Sequence, residues 1–144
     1  MTVATLLAKQ QYPLAKCHPD NSVLQAAHEM TSKKANALAV IANDGMLAGI
    51  LTDHDIIRCL VARNRELDLE VVRAWMTPQV ITCEPATSLK DAIELMARKR
   101  IRHLVVLEGS RPIGVVGIRE LLAAAHEEDM LEKHVLRDLV TAVR

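Results

Sequence analysis

The sequence predicts an α+β fold made of two similar units, and three observations indicate it. The stretch at residues 17–30 returns, with substitutions, at residues 83–96. In both halves of the chain, apolar runs of strand length alternate with amphipathic runs of helix length in the same order. Half of the 144 residues are hydrophobic and 25% are charged, so the chain can bury a core. We therefore expect two strand–helix–strand–strand–helix repeats of the α/β type that bury their apolar sheet faces against each other.

The internal repeat keeps a nearly constant spacing along the chain. Its first matched positions are 66 residues apart and its later ones are 65 apart. The first group pairs Pro19 with Pro85, Ser22 with Ser88, Ala26 with Ala92 and Met30 with Met96, and the second group pairs Gly49 with Gly114 and Asp55 with Glu120. One residue has therefore been lost in the turn between the matched blocks, where gaps are tolerated.

Each unit opens with a short strand and an amphipathic helix. The strands are predicted at residues 15–17 and 80–83, and each ends before a proline. The helices are predicted at residues 23–33 and 89–99. Both helices follow a serine, with a polar residue three positions later, which is the spacing of a capping box. The two capping pairs are Ser22 with Gln25 and Ser88 with Asp91.

Two further strands and a second helix complete each unit. The strands are predicted at residues 37–42, 46–51, 103–107 and 112–116. In the first unit they are joined by Asn43-Asp44-Gly45, a sequence typical of a hairpin turn. The second helix is predicted to begin after Thr52 in one unit and after Gly117 in the other.

Two segments lie outside the repeated elements. The linker at residues 64–77 is predicted to hold a short helix with Asp68 as its N-cap. Residues 127–144 keep apolar side chains at helical spacing with charges between them. This stripe needs a covering partner, which is the chain itself if the segment folds back, or a second subunit in a homodimer. The domain division that follows is 1–70 for the N-terminal segment with the first repeat, and 71–144 for the linker helix, the second repeat and the C-terminal helix.

Composition and charge exclude several classes of protein. Basic and acidic residues both number 18 and aromatic residues are 1% of the chain, so neither net charge nor stacking rings favour nucleic-acid binding. The three cysteines indicate neither a disulfide framework nor a zinc site, and the equivalent strand positions of Cys17 and Cys83 favour buried packing. No apolar run is long enough to span a bilayer, and residues 1–10 are not typical of a signal peptide. We expect a cytoplasmic protein with no membrane partner.

One candidate binding motif stands where a strand ends and a helix begins. The sequence Gly49-Ile-Leu-Thr52-Asp53-His54-Asp55 places a hydroxyl and a carboxylate side by side at a helix N-terminus, whose free N–H groups also attract anions. Such a pair can hold a ribose and a phosphate. The spacing from Thr52 to Asp55 is also that of an ordinary capping box, and the motif alone favours the cap.

The repeats and three of their motifs together resemble a pair of cystathionine beta-synthase (CBS) domains, also called a Bateman module. The motifs are Gly49-Ile-Leu-Thr-Asp-His-Asp55, Met76-Thr-Pro-Gln-Val-Ile-Thr-Cys-Glu-Pro85 before Ser88, and Arg100-Ile-Arg-His-Leu-Val-Val106. The resemblance covers nearly the whole chain and implies pseudo-two-fold symmetry between the repeats. It implies neither catalysis nor a metal. It implies that an adenosyl ligand binds between the repeats and that the protein has a regulatory role in sensing energy state or a metabolite. The implied ligands are AMP, ADP or ATP, with NAD(H) and S-adenosylmethionine as further candidates.

The resemblance also implies the residues of a first cleft, in which the first repeat supplies the ribose end and the second repeat supplies the rest. The resemblance assigns Thr52 and Asp55 to the ribose. It places Val80 and Ile81 beside the adenine. It assigns Arg102 and His103 to the phosphates. An arginine offers a forked charged donor and a histidine a titratable one, which suits a phosphate near neutral pH. The six residues are Thr52, Asp55, Val80, Ile81, Arg102 and His103.

The second cleft, built on Gly117 and Glu120, departs from the family pattern twice. Gly117 lacks the hydroxyl, and the positions that should supply cations are Asn36 and Ala37. Glu120 keeps a carboxylate, and Arg119 is the candidate to replace the missing charge. We therefore predict one tightly bound nucleotide per chain, in the first cleft, with at most weak binding in the second.

The sequence leaves an alternative function open. That alternative is a dimerising scaffold with vestigial clefts, in which residues 127–144 make the contacts. An unidentified regulated protein is a further expected partner. An enzyme is disfavoured because the sequence shows no nucleophile beside a base, no metal-ligand spacing and no Gly-x-x-x-x-Gly-Lys phosphate loop. His54 and Arg58 share a helix face near the mouth of the first cleft, although a solvent-facing role is favoured for both.

Overall fold

The computed structural model describes residues 1–64 and 66–142 and shows the strand–helix–strand–strand–helix order twice. The first unit runs from β1 to α3 and the second from β4 to α6, with α1 before the first unit and α4 between the two. The elements are α1 (Val3–Ala8), β1 (Lys16–Cys17), α2 (Val23–Lys33), β2 (Ala37–Ile41), β3 (Leu47–Thr52), α3 (Asp53–Arg63), α4 (Val72–Trp75), β4 (Thr82–Cys83), α5 (Leu89–Lys99), β5 (His103–Glu108), β6 (Arg111–Gly117) and α6 (Ile118–Ala142).

Each unit contributes one three-stranded sheet, and the two sheets have the same topology. In each sheet the short first strand runs parallel to the second, and the third strand pairs antiparallel with the second. The register repeats as well, because Lys16 lies opposite Ala39 in one sheet and Thr82 opposite Val105 in the other. The predicted α+β class is therefore confirmed.

The two sheets pack face to face through small and branched apolar side chains. Ala37, Ala39 and Ile50 of the first sheet form one buried cluster with Val105 of the second. The opposite face of each sheet is covered by that unit's own helices. The first unit's cluster includes Leu38, Val40 and Leu51, and the second unit's cluster includes Leu104, Val106 and Val116. The alternation of buried residues along β2 and β5 thus serves two cores at once.

The first helix of each unit begins and ends as its sequence indicates. Ser22 forms the complete capping box with the third helical residue. Ser88 accepts a bond from the backbone N–H of Asp91, but the return bond of the box is absent. Both helices end in a residue with left-handed backbone, Lys34 at φ 52° and Arg100 at φ 55°. This sharp ending sends the chain directly into the next strand of the sheet.

The linker differs from its prediction. Asp68 is not the N-cap, because the helix is the single turn α4 and its N-cap is Val71. The reason is tertiary: Val71 forms a β-bridge with Ser22, and the Val72 N–H donates to the Asn21 carbonyl at 2.9 Å. These bonds hold Val71 in an extended conformation, after a turn at residues 67–70, and delay the helix. Arg65, which belongs to the predicted linker, lies outside the described residues.

The N-terminal residues form a helix that the sequence did not indicate. Val3 and Leu7 of α1 are buried in the core of the second unit. The Val3 N–H donates to the Thr87 carbonyl and the Ala4 N–H donates to the Pro85 carbonyl, both at 2.9 Å. The segment before the first repeat is therefore built into the second one.

The C-terminal segment does not fold back on the chain. Helix α6 runs without a break from Ile118 to Ala142, so the fold-back alternative is wrong for residues 127–142. Val143 and Arg144 of the predicted segment lie outside the described residues. Within the described chain, no helix combines the length and the apolar character needed to cross a membrane.

Candidate functional site

The linker crosses the last strand of the first unit at very short range. Thr77 and Ile50 exchange two backbone hydrogen bonds, of 3.0 and 2.9 Å. A Cβ atom at Gly49 would lie 2.7 Å from the Met76 sulfur and 2.8 Å from the Thr77 carbonyl oxygen, so only glycine permits this approach. The crossing brings residues 77–81 beside Thr52, where β3 ends.

The same crossing occurs in the second unit. The Val115 N–H donates to the Pro13 carbonyl at 3.0 Å, and a Cβ atom at Gly114 would lie 2.5 Å from the Leu7 side chain. The N-terminal segment therefore lies against β6 as the linker lies against β3. Each unit's leading segment rests on the other unit's last strand, which creates two related clefts between the units.

The first cleft is a cavity of about 440 Å³. Of the six residues that the sequence assigned to it, Thr52, Val80, Ile81, Arg102 and His103 line the cavity together. Val80 and Ile81 are half-buried in an extended segment just before β4, because the predicted strand at residues 80–83 is paired only at its last two residues. The other lining residues are Ile50, Asp53, His54, Thr77, Gln79, Arg100 and Ile101.

Asp55, the sixth residue, does not line the cavity. Its Oδ2 atom accepts bonds from the Thr52 N–H at 2.9 Å and the Thr52 hydroxyl at 3.2 Å, and Thr52 Oγ1 faces the Asp55 N–H at 3.4 Å, which completes a capping box. Its Oδ1 atom accepts from the Arg58 guanidinium at 2.8 Å. Only 6% of the Asp55 surface is exposed. The carboxylate therefore lies directly behind the Thr52 hydroxyl.

Arg58 and His54 lie near the cleft mouth but have different surroundings. Arg58 bonds to Asp55 and stacks over the Trp75 ring, with its guanidinium carbon 5.5 Å from the ring centroid. His54 lines the cavity. His54 is also exposed, as the favoured solvent-facing role expects, and the structure assigns Arg58 to holding Asp55 in place.

Two guanidinium groups give the first cleft a basic wall. Arg100 and Arg102 both line the cavity, and neither forms a salt bridge within residues 1–64 and 66–142. The carboxylate that lines the same cavity belongs to Asp53. Two guanidinium groups against this one carboxylate, beside apolar side chains, suit a ligand with an apolar ring and an anionic end.

His103 differs from the expected titratable phosphate donor. Burial lowers the pKa of its imidazole below the usual 6.5, the nearby Asp53 charge opposes that shift, and Arg102 adds to it. The ring is therefore neutral at neutral pH and contributes a hydrogen bond instead of a charge. Its Nε2 atom lies 3.0 Å from Asn36 Oδ1.

Sequence reasoning missed two charged residues of the first cleft. Arg100 stood in a quoted motif without an assigned role, and it faces the cavity because α5 ends on it in the left-handed conformation. Asp53 was passed over as an intervening residue of the Thr52 motif. It lines the cavity from the first position of α3, where its N–H donates to the Asn36 carbonyl at 2.9 Å.

The second cleft is a smaller cavity, of about 250 Å³. Gly117, Glu120, Asn36 and Ala37 all line it. The expectation that it lacks cations is wrong, because Lys33 and Lys34 at the end of α2 also line it. Arg119 is not among the lining residues and so does not replace the missing charge.

Two charged groups of the second cleft, Lys33 and Glu120, are already engaged within the protein. Lys33 pairs with Glu29 at 3.0 Å and lies over the Tyr12 ring, 5.3 Å from its centroid. The Glu120 carboxylate accepts a bond from the Gln10 amide. Desolvation raises the pKa of Glu120, and its bonds from Gln10 and the Gly117 backbone oppose that shift. These contacts leave less of the second cleft free for a ligand.

The cysteines are thiols in the apolar layers. Cys59 and Cys83 are buried and Cys17 is half-buried, and all three are free. Burial raises the pKa of Cys17 to about 12 and that of Cys83 to about 11, so neither is a thiolate at neutral pH. Among the described residues, no group of three or more histidine, cysteine or acidic side chains could hold a metal ion.

A family model described as "CBS domain" matches the chain twice, at residues 9–62 and 72–127. The chain belongs to the CBS domain family. The two matches fall on the two repeated units, so the protein is a tandem CBS pair, and the clefts described above lie between its two CBS repeats.

Individual CBS proteins resemble the chain over most of its length. CBSX3, a mitochondrial CBS domain-containing protein of Arabidopsis thaliana, is 32% identical over 121 residues; the match covers 79% of this chain and 59% of CBSX3. The CBS protein ATU1752 of Agrobacterium tumefaciens has a TM-score of 0.78 at 27% identity, covering 86% of this chain and 92% of that one. CBSX2, solved in complex with AMP, has a TM-score of 0.73 at 26% identity, covering 89% and 98%.

Proposed function

We propose that the protein is a regulatory module that binds an adenosine nucleotide, AMP, ADP or ATP, in the first cleft between its CBS repeats. The observation that carries this proposal is the first cavity itself. It brings five of the six expected residues around one space of about 440 Å³, a size typical of small-molecule sites. The related protein CBSX2 was solved in complex with AMP, which supports an adenosine nucleotide as the ligand class.

Apolar side chains form the proposed adenine end of the cleft. Val80 and Ile81 are half-buried, and Ile50 and Ile101 line the same cavity. Burying a flat heterocycle among these side chains is favourable because apolar surface of both the ring and the protein is removed from water. The nearby Gln79 side chain is a donor and acceptor that can meet the polar edge of the ring.

Thr52 and Asp55 form the proposed ribose end. Thr52 lines the cavity, and the Asp55 carboxylate lies 3.2 Å behind its hydroxyl. A ribose hydroxyl that bonds to Thr52 therefore also comes next to a carboxylate. The capping box and the binding role are compatible, because the cap fixes the two groups at the place where the sugar would lie.

The phosphate end of the cleft is assigned to Arg102, with Arg100 as a second cation and neutral His103 as a hydrogen-bond donor. Both arginines line the cavity and have no salt bridge within the described part of the chain. This cationic wall favours AMP, ADP or ATP, and also NAD(H), over S-adenosylmethionine, which carries no phosphate. The module needs no metal for these contacts.

Binding between the repeats supplies the proposed regulation. Thr52 belongs to the first unit and Arg102 to the second, so one bound nucleotide favours a single arrangement of the two. We propose that this shift is passed to a homodimer or to an unidentified regulated protein in the cytoplasm, without catalysis. We also propose the division of the chain into parts 1–70 and 71–144. One tight site per chain is expected, because the second cleft is smaller and two of its charged groups, Lys33 and Glu120, are engaged.

A dimerising scaffold is the second candidate. The observation that favours it is the row of exposed apolar side chains along the end of α6, including Leu131, Leu136 and Leu139. In this alternative the clefts are vestigial, and Asp55 serves only as the cap of α3.

Calorimetric titration separates the two candidates. Protein stripped of bound nucleotide is titrated with AMP, ADP, ATP, NADH and S-adenosylmethionine. The proposal expects micromolar binding of a phosphate-bearing ligand at about one per chain, and recovery of that ligand unchanged after long incubation. A folded, stripped sample that binds none of the five would leave only the scaffold.

A further inference from the structure

Asp53 places a carboxylate at the proposed phosphate end of the first cleft. It lines the cavity together with Arg102 and His103. Asn36 joins it to that end, because the Asn36 carbonyl accepts from the Asp53 N–H at 2.9 Å while Asn36 Oδ1 lies 3.0 Å from His103 Nε2. Burial lowers the pKa of His103, and of the two charges that also act on it, Asp53 raises the pKa and Arg102 lowers it. An anion bound at His103 therefore lies near the Asp53 carboxylate.

The fold of α3 does not require an acidic residue at position 53. The helix is already capped by Thr52 and Asp55. The equivalent position of the second unit is Ile118, the first residue of α6, and its N–H makes the matching backbone bond at 2.9 Å. An acid in the first turn interacts favourably with the helix dipole, but the second unit begins the same helix with an apolar residue. The Asp53 side chain is exposed and free to serve the cleft.

The N-terminus of α3 offers no free donors to an anion. The Asp53 N–H bonds to the Asn36 carbonyl, the His54 N–H donates to Asp53 Oδ1 at 2.8 Å, and the Asp55 N–H faces Thr52 Oγ1 at 3.4 Å. The free N–H groups expected from the sequence are thus engaged, and two carboxylates lie in the first turn. A phosphate chain that extends toward α3 meets negative charge there.

The charges of the first cleft balance one phosphate group. Two guanidinium groups, of Arg100 and Arg102, stand against the one carboxylate of Asp53. Asp55 is paired with Arg58 at 2.8 Å, so that pair adds no net charge. A phosphate monoester carries about 1.5 to 2 negative charges at pH 7. Each further phosphate adds negative charge, and the described lining residues include no further lysine or arginine to meet it.

We propose that Asp53 is a specificity-determining residue that makes the first cleft select a nucleoside monophosphate over di- and triphosphates. This inference rests on the proposed function, because it needs a nucleotide in that cleft. The two arginines hold the single phosphate of AMP, while the carboxylate repels the charges that ADP or ATP brings beside it. Asp53 thus acts by penalising the wrong ligand, which is a common source of specificity.

Calorimetric titration of the nucleotide-stripped full chain with AMP and with ATP tests the inference. The titrations are run with EDTA at about pH 8, where ordinary imidazole groups are neutral. The unchanged protein should bind AMP about fivefold more tightly than ATP, or better. Asp53→Asn keeps an oxygen that can accept from the His54 N–H, and it should reduce the AMP-to-ATP affinity ratio by about two- to fivefold.

Asp91→Asn is the matched control, because Asp91 is an exposed aspartate in the first turn of α5 that does not line the cavity. It removes the same charge from the same kind of helix position and should leave the affinity ratio unchanged. Circular dichroism checks that both variants are folded. An Asp53→Asn ratio equal to that of Asp91→Asn would overturn the proposed role of Asp53.

The outcomes for the unchanged protein separate this inference from the proposed function. Binding of neither nucleotide would overturn the proposed function and the inference with it. Binding of AMP together with equal or tighter binding of ATP would leave the proposed function standing and overturn the selectivity. A repeat with Mg²⁺ in place of EDTA tests a different role. If Mg²⁺ makes ATP bind more tightly than AMP and Asp53→Asn abolishes that gain, Asp53 binds the metal of Mg-ATP and the inference is wrong.

Discussion

The Nε2 atom of His103 lies 3.0 Å from Asn36 Oδ1, and this contact joins the two clefts. His103 lines both cavities, at the start of β5, while Asn36 lies just before β2 and lines the second. A phosphate that bonds to His103 in the first cleft competes with Asn36 for the ring. If the proposed nucleotide binds there, we therefore expect occupation of the first cleft to change a hydrogen bond in the second.

Arg102→Ala should weaken AMP binding more than adenosine binding. The guanidinium is assigned to the phosphate, and loss of a charge-assisted hydrogen bond costs about 1.5–3 kcal/mol, or roughly ten- to a hundredfold in affinity. Calorimetry with both ligands measures the difference. Arg98→Ala is the matched control, because Arg98 is an exposed arginine of α5 that does not line the cavity. Equal losses for AMP and adenosine would remove Arg102 from the phosphate end.

His103 should titrate below the usual pKa of 6.5 in the ligand-free protein. Because burial lowers its folded-state pKa, the stability that its neutral form supports is present above the unfolded value and is lost as the pH falls through the folded one. AMP should raise the pKa, since a phosphate favours the imidazolium. Proton NMR of the imidazole measures both states, with His103→Gln used to assign the resonance. A ring that titrates above 6.5 without ligand would contradict this account.

Gly117→Ser should add the missing hydroxyl at the start of α6 without strain. A Cβ atom there would lie 3.5 Å from the nearest Glu120 oxygen and 3.6 Å from His103 Cδ2, which is ordinary contact. Serine in place of glycine before a helix is worth a few tenths of a kcal/mol, about 0.3. We expect a slightly higher free energy of unfolding in urea and stronger nucleotide binding in the second cleft. A less stable protein would show that the hydroxyl does not cap α6.

Gly49→Ala should destabilise the protein by about 1–3 kcal/mol, because the new methyl group overlaps the linker where it crosses β3. The nearest atoms would be 2.7 and 2.8 Å away, on Met76 and Thr77. Urea unfolding measures the loss. Gly117→Ala is the control, since its methyl group meets ordinary contact distances. If Gly49→Ala lowers the free energy of unfolding no more than Gly117→Ala does, the close crossing of the linker over β3 does not require glycine at position 49.

The repeat made most of the fold predictable from sequence, because two copies of one pattern support each other. Apolar periodicity placed every sheet-core strand and both amphipathic helices, since local pattern and tertiary packing agree there. It failed where contacts between residues distant in sequence determine the local structure. Val71 replaces Asp68 as the N-cap because Ser22 and Asn21 bond to the linker. Helix α1 forms because Val3 and Leu7 pack into the hydrophobic core of the second unit.

The candidate site was predictable to the extent that family motifs name residues. The motifs alone assign five residues to one cleft, and the structure places them around one cavity: Thr52, Val80, Ile81, Arg102 and His103. The sequence left open whether Asp55 caps α3 or contacts a ligand, and the structure shows its carboxylate bonded to the Thr52 N–H and hydroxyl in the capping box. The lowered pKa of His103 depends on burial, which the sequence does not give.

The central claim is that one adenosine nucleotide binds in the first cleft, at its Thr52 and Asp55 end. The most direct measurement is calorimetric titration of nucleotide-stripped protein with AMP, repeated on Asp55→Asn and on Glu120→Gln, with circular dichroism confirming that both variants are folded. This account predicts about one micromolar site per chain, weakened by Asp55→Asn and retained in Glu120→Gln. No binding to the unchanged protein, or a site lost in Glu120→Gln and retained in Asp55→Asn, would contradict it.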